Sequence, residues 1–363
     1  MFAMKLVAQA KLLTTSAQAS ALRETLEQAN AACNWVSAWA WEHQTFGQWS
    51  IHKACYYTVR DQFSLSAQLT VRVIAKVTDA YKLDRKTQRT FSPTGSIAYD
   101  DRILRWKVSV SEVSIWTMHG RQTIPFVCGQ RQRDLLQTQQ GETDLAYRDG
   151  CFYLFATCNV EEPAPSDVTG VLGCDLGIVN ILTDSDGTVY SGGAVTGLRR
   201  RCRRLRQKLQ AKRTRSAKRL LKKRRRKERR FSTDVNHCVS KAVVATAQGT
   251  GRAIALEDLK GIRDRVTVRR NQRATLHSWS FNQLVRFVTY KAKQRGVPVV
   301  LVDPRNTSRT CPSCGCIDKR NRPTQSKFSC VQCGFAGLAD HIAACNIASR
   351  ADVNLPYVAD RLV

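Results

Sequence analysis

Two sets of residues in this chain have the types and spacing for chemistry. The first is Cys311, Cys314, Cys330 and Cys333, two Cys-x-x-Cys knuckles separated by fifteen residues. That is the pattern of a zinc ribbon, in which each knuckle gives two thiolates to one tetrahedral Zn²⁺. Gly315 and Gly334 end the knuckles and let the backbone turn so that both sulfurs of a pair face one ion. Cys316, just past the first knuckle, is a fifth contender. The second set is acidic. Asp175 is the single acid of the apolar run Val171–Leu182, Glu257 closes a short apolar strand pattern from Arg252, and Asp340 heads an alanine-rich segment. A lone carboxylate in a buried strand is costly unless it is paired or holds a metal. Three carboxylates gathered at one sheet edge can hold two Mg²⁺ ions about 3.5–4 Å apart, one activating water and the other stabilising the leaving oxygen in phosphodiester hydrolysis. That chemistry requires no serine or histidine nucleophile. The six histidines are scattered, and His341 adjoins one of the acids.

The acids need elements to carry them. From Val168 the order is a strand with Asp175, a turn at Asp184-Ser185-Asp186-Gly187, basic helices, a strand ending at Glu257, a helix from Leu276 to Arg295, a strand over Val297–Asp303, the cysteine segment, and a helix headed by Asp340. The helix from Leu276 turns Trp279, Leu284, Phe287, Val288 and Ala292 inward, and Gly296 stops it. This order is that of a ribonuclease-H-like fold. Pro163 and Pro165 mark a linker over Glu161–Asp167.

Upstream, Leu6–Leu13 alternates as a strand, with Leu6, Ala8, Ala10 and Leu12 on one face. A helix opens at Ser16 with the seam Leu22, Leu26, Ala29, Cys33 and Val36, and helices follow over Ile51–Phe63 and Ser66–Leu83, the last with Val71, Ile74, Ala75 and Ala80 inward. Trp35, Trp39, Trp41, Tyr56 and Tyr57 are expected in the core. Period two then returns in Ser96–Tyr99, Ile103–Val108, Val113–Met118, Thr123–Cys128, Leu145–Tyr147 and Cys151–Val160, with Asp149-Gly150 as a tight hairpin. The expected fold class is multidomain α+β: an N-terminal barrel-like sheet interrupted by a helical block, then the nuclease-like domain with its ribbon.

Charge points to a partner. Lys and Arg outnumber Asp and Glu by 58 to 29 in 363 residues, a net charge of +29, which is the footprint of a protein that binds phosphate backbones. Arg199–Arg230 holds twenty basic residues against Glu228 alone, and Arg199, Arg203, Arg206, Arg213, Lys222 and Arg225 are the candidate nucleic-acid contacts. No apolar run approaches the roughly 20 residues of a membrane-spanning helix, and Met1–Thr15 lacks the apolar centre of a signal peptide. A reducing, cytoplasmic location follows as the expectation. It disfavours disulfides and leaves Cys33, Cys128, Cys158, Cys174, Cys238 and Cys345 as small buried residues.

Gly173-Cys174-Asp175-Leu176-Gly177, Leu256-Glu257-Asp258-Leu259, Ser278-Trp279-Ser280-Phe281 with Tyr290-Lys291-Ala292-Lys293, Thr307–Gly315, and Asp340 with Ala343-Ala344 and Asn346-Ile347 together resemble TnpB. This is a family of transposon-encoded, RNA-guided DNA endonucleases ancestral to type V CRISPR effectors. The resemblance covers Val168–Arg350. It implies a RuvC-type triad at Asp175, Glu257 and Asp340 with two Mg²⁺, one structural Zn²⁺ on the four cysteines, a guide RNA from the transposon end, and a double-stranded DNA target beside a short flanking motif. It further implies a wedge-type barrel over 1–15 and 86–165, a helical recognition block over 16–85, a RuvC-like nuclease over 166–303 and 335–363, and the zinc ribbon over 304–334. One departure is visible: the family usually has Asn two places after the last acid, where this chain has Ile342. An RNA-guided regulator with an idle nuclease site and a miniature type V CRISPR effector are the alternatives; the presence of all three acids argues against the first.

Overall fold

A computed structural model of the chain describes residues 3–259 and 281–352, apart from the side chains of Ala3, Arg225 and Arg226. The expected helix start Leu276–Ser280, with Trp279, lies outside the described residues. The chain divides into two compact units, Met1–Glu161 and Glu162–Val363.

In the first unit β1 (Ala3–Leu12) leads into α1 (Ser16–Glu42), which opens at Ser16 as expected and takes Thr15 as its N-cap. The Thr15 hydroxyl accepts from the Gln18 backbone N–H, and the Gln18 side chain accepts from the Thr15 N–H, a reciprocal capping box. Next come α2 (Gln48–Gln62) and α3 (Ala67–Leu83). The α1 seam Leu22, Leu26, Ala29, Cys33 and Val36 is fully buried. On α3 the buried line is Leu69, Val73, Ile74, Val77 and Tyr81; Val71, Ala75 and Ala80 are only half-buried, because the seam follows Leu69 rather than Val71. Trp35, Trp39, Trp41 and Tyr56 pack against this core, whereas Tyr57 is 73% exposed.

The strands β2 (Ile97–Tyr99), β3 (Leu104–Lys107), β4 (Glu112–Thr117), β5 (Gly120–Val127), β6 (Gln139–Arg148) and β7 (Cys151–Glu161) join β1 in an antiparallel sheet of order β2-β6-β7-β1-β5-β4-β3. Trp106 Nε1 on the edge strand β3 donates to Thr143 Oγ1 on β6 at 3.3 Å, drawing the two sides of the sheet into a nearly closed barrel. Asp149 and Gly150 both have positive φ (50° and 86°), the type I′ turn that suits a twisted two-residue hairpin. A short helix, α4 (Gln130–Leu136), was not expected; only Leu136 is buried, so it has almost no apolar periodicity.

The second unit is built on β8 (Gly170–Asp175), β9 (Asn180–Asp184), β10 (Val189–Ser191), β11 (Arg252–Glu257) and β12 (Val299–Val302), in the order β10-β9-β8-β11-β12. Here β8, β11 and β12 are parallel and the β9–β10 hairpin is antiparallel. The continuous apolar run Val171–Leu182 therefore breaks into two strands. A Cβ on Gly177 would lie 2.6 Å from the Asn180 carbonyl oxygen, so the turn between them needs glycine. The crossover to β11 is α5 (Gly193–Lys212) and α6 (Arg215–Gly249). α6 continues the basic run straight into Val239, Val243, Val244 and Ala247, which pack with Leu172, Cys174, Ile254 and Leu256 and with Leu284 and Val288 of α7 (Phe281–Lys293).

The last helix, α8 (Ala339–Asp352), covers the other sheet face through Ile347 and Ala351 against Ala255 and Val302. Alternation along β8 turns Leu172 and Cys174 toward α6 and Gly173 toward α8. A Cβ on Gly173 would stand 2.1 Å from the Ala344 carbonyl oxygen and 2.6 Å from the Ala348 nitrogen. Both are backbone atoms of a helix, which cannot swing aside. Gly173→Ala is expected to cost about 3 kcal/mol or more, read as a lower denaturation midpoint. Gly197→Ala is the control: among the described residues nothing lies within 4 Å of its Cβ position on α5, and it should be neutral or slightly stabilising. Equal effects of the two would refute the close-packing argument.

Candidate active site and metal centre

Asp175 ends β8 and Glu257 ends β11. Cys174 is paired with Leu256 in the parallel register, so one further step along each strand sets the two acids side by side at the C-terminal edge. Asp340 joins them from the first turn of α8. Burial first, then Glu257 and Asp340, push the Asp175 carboxyl up to about 8, against the opposing pull of Arg322. Glu257 is also raised, by burial, although its hydrogen bond from Thr307 and the charges of Arg350 and Arg322 work the other way.

Each of the other two acids is held. Thr307 Oγ1 donates to Glu257 Oε1 at 2.5 Å, and Asn346 Nδ2 donates to the Thr307 and Thr310 carbonyls at 2.8 Å each, tying α8 to the loop that carries Thr307. Asn180 Nδ2 donates to Asp340 Oδ2 at 2.9 Å. The Arg322 guanidinium donates to Asp340 Oδ1 at 3.3 Å and to the Gln325 carbonyl at 2.7 Å. Sequence reasoning missed Asn180, Thr307 and Arg322 as site residues. Asn180 interrupts an apolar run and Thr307 opens the Thr-Ser-Arg-Thr stretch, which are signals in retrospect; Arg322 is one arginine among many. The raised Asp175 and Glu257 carboxyls form an oxygen donor set whose mutual repulsion a divalent cation would relieve, and hard oxygen donors suit Mg²⁺.

The four knuckle cysteines bring their sulfurs within 4.8 Å of one another, with Cys311 to Cys333 at 3.6 Å and Cys314 to Cys330 at 3.5 Å. A tetrahedron with Zn–S bonds of about 2.3 Å has edges of about 3.8 Å, so the set fits a structural zinc. The Cys333 backbone N–H pulls the Cys330 thiol down to about 6, which favours the thiolate that binds metal. Cys316 stays out of the four-sulfur group; its carbonyl accepts from the Cys311 N–H at 2.9 Å. Asn321 is fully buried, donating to the Arg309 and Cys316 carbonyls and accepting from the Val331 N–H, and so braces both knuckles. The antiparallel pair β13 (Lys327–Ser329) and β14 (Ala336–Leu338) completes the module. Ile342 is buried among Cys311, Phe328, Cys330 and Ala339, so this side chain serves the ribbon core.

Of the candidate nucleic-acid contacts, Arg203, Arg213 and Lys222 are exposed. Arg199 is half-buried, and burial lowers its pKa. Arg206 is exposed too, and it pairs with Glu228 at 2.9 Å, a surface strut between α5 and α6. The Arg225 side chain lies outside the described residues. Three cysteines depart from the expected burial: Cys238 is exposed, and Cys128 and Cys345 are half-buried, since a cysteine near an apolar stripe can still sit at its margin. No described helix is long and apolar enough to cross a membrane.

Residues 155–260 match the family described as probable transposase, OrfB_IS605, and residues 281–347 match the Cas12f1-like TNB domain. The CRISPR-associated endodeoxyribonuclease Cas12f1 of Sulfoacidibacillus thermotolerans is 38% identical over 120 residues, 32% of this chain and 27% of that protein. A TnpB-like protein of Methanocaldococcus jannaschii is 34% identical over 125 residues, 34% of this chain and 44% of that protein. The chain thus spans less than half the length of these curated relatives. A cryo-EM structure of a Cas12f1–sgRNA–target DNA complex superposes with a TM-score of 0.62 at 14% identity, covering 92% of this chain and 83% of that one, a likeness of fold. With one family model on the sheet that carries Asp175 and Glu257 and the other on the cysteine module, the second unit carries the sequence pattern of the TnpB/OrfB transposase family together with a Cas12f-like TNB zinc domain, which relates it to the Cas12f effectors.

Proposed function

We propose that this chain is an RNA-guided DNA endonuclease of a transposable element, cutting guide-matched double-stranded DNA beside a short flanking motif. The observation that carries the reading is the meeting of Asp175, Glu257 and Asp340 at one edge of the mixed sheet, where the charges of Glu257 and Asp340 raise the Asp175 carboxyl. Two Mg²⁺ ions bound there would supply the activated water and the stabilised leaving oxygen of in-line phosphodiester hydrolysis. Thr307 holds Glu257, while Asn180 and Arg322 hold Asp340, so the carboxylates are oriented before metal arrives. In this reading the second unit is a RuvC-like nuclease over 166–303 and 335–363, with the zinc ribbon inserted at 304–334. Residues 1–15 and 86–165 form a wedge-type barrel, with 16–85 as the recognition block.

Sequence reading is delegated to the guide, so the protein needs chiefly a basic surface for backbone and a small duplex-reading site. The exposed basic residues of α5 and α6 provide the former. Sequencing the RNA that copurifies with the chain, then challenging the complex with plasmids bearing the matched target and randomised flanks, tests the proposal; the expected result is one enriched transposon-end RNA and cutting restricted to one flank. An absence of enriched RNA would sink it. Log affinity for that RNA should fall with log salt at a slope steeper than about −4, and a salt-insensitive affinity would contradict the role given to the basic helices.

A further inference from the structure

A cavity of about 130 Å³ opens beside Asp340, lined by Asn180, Thr183 and Val189 of the β9–β10 hairpin, by Ser326 of the ribbon, and by Leu338 and His341. Its chemistry differs from that of the acid cluster next to it. Val189 and Leu338 are large apolar side chains left 48% and 64% exposed, while the other four present amide, hydroxyl and imidazole groups. Among the described residues neither Lys nor Arg lines it and Asp340 borders it, so a phosphate would be repelled. A neutral, flat group with apolar faces and polar edges fits this lining. Thr183 supplies the second observation: it is 2% exposed and its Oγ1 has no hydrogen-bond partner among the described residues. A buried hydroxyl without a partner weakens the free protein and is repaid when a ligand supplies the missing bond. His341 Nε2 lies 3.1 Å from the Ser185 carbonyl; that contact places the proton on Nε2 in the neutral ring and makes Nδ1 the acceptor.

We propose that this cavity receives the heterocyclic base of a nucleotide neighbouring the cleaved phosphate in the strand being cut. The inference rests on the endonuclease reading and names a subsite of it. A base held there is unstacked from its neighbours, which fixes the strand beside Asp340 and gives the cut a local base preference that guide pairing does not impose. Because Ser326 and Leu338 come from the ribbon side and Thr183 from the hairpin, the subsite exists only with both in place.

The test uses the full chain with its copurifying RNA. A target is made in which a single nucleotide is abasic, walked through the positions around the cut, and a second series carries 2-aminopurine at the same positions for fluorescence in the Asp175→Asn background. At one position per strand the abasic substitution should slow cutting about tenfold, and 2-aminopurine should brighten on binding. Leu338→Trp, made from an exposed position, should fill the cavity, abolish the brightening and cut intact and abasic targets equally slowly. Thr183→Val should raise the melting temperature of the free chain while weakening the brightening and shifting the base preference; a rise in melting temperature with both readouts unchanged would assign Thr183 a packing role only and overturn the subsite. A flat abasic scan with normal cutting by the wild type also overturns it and leaves the endonuclease reading standing. A wild-type complex that binds target yet cuts no intact target overturns both.

Discussion

Asp175→Asn is expected to lower the rate of cutting of guide-matched DNA by at least about a thousandfold, with RNA and target binding held within a few fold, and to stabilise the metal-free chain. On the proposed reading, the loss follows from removing one of three charges that would hold the metal pair. The gain in stability follows from sign. The Asp175 carboxyl rises from 3.8 to about 8 in the fold, so the proton is held more tightly folded than unfolded. The associated stability is complete below pH 4 and is lost as pH rises through about 8. Asp175 retains partial solvent exposure, which screens the effect to an order of about 1–3 kcal/mol. The chelated wild type should therefore melt several degrees lower at pH 8 than at pH 5, Mg²⁺ should recover most of the difference at pH 8, and the asparagine variant should flatten both trends. Rate assays, filter binding and thermal melts on one preparation separate the outcomes. Simultaneous loss of binding and cutting would count against placing the chemistry at this edge.

Cys330→Ser should have an effect of similar size by a different route. It removes the thiolate that the knuckle backbone favours most strongly, and three remaining thiolates hold zinc far less tightly; structural zinc in small modules accounts for about 10–16 kcal/mol of apparent folding free energy. The ribbon has little else to hold it: its core is Cys311, Phe328 and Cys330 with Ala339 and Ile342 of α8. Losing zinc therefore uncovers the very turn that carries Asp340 and releases Arg322 from it. The expected result is loss of bound zinc, fast amide exchange over 304–338 and a fall in cutting of about a hundredfold or more, with exchange in β1–β7 unchanged. Full cutting by a zinc-free chain would show that the ribbon does not support the acids.

The cysteine set and the acid set were legible for different reasons. A Cys-x-x-Cys knuckle is a local device whose two sulfurs must be near neighbours in sequence, so spacing alone reveals it. The acids stood out because a carboxylate in an apolar strand demands an explanation. Their supports did not stand out: Asn180 meets Asp340 across 160 residues and Thr307 meets Glu257 across 50, and a polar residue that acts only through a distant partner leaves no periodic trace. The same holds for secondary structure. The seam of α1 was read correctly because five apolar residues repeat at helical spacing, whereas α4 buries one residue and has no period to detect. On α3 several apolar residues allow more than one seam, and packing against α1 selects the one that starts at Leu69.

The contact at Gly173 sets a tolerance. Asp175 lies two residues beyond it on β8, and Asp340 lies four residues before Ala344 on α8. Where a strand and a helix are separated by side chains, each repacking of the core resets their spacing. Here main chain rests on main chain, so the distance between these two acids is gauged by peptide groups that no substitution elsewhere in the core alters. Such a unit can accumulate changes on both faces of its sheet while the edge that carries the acids keeps its dimensions.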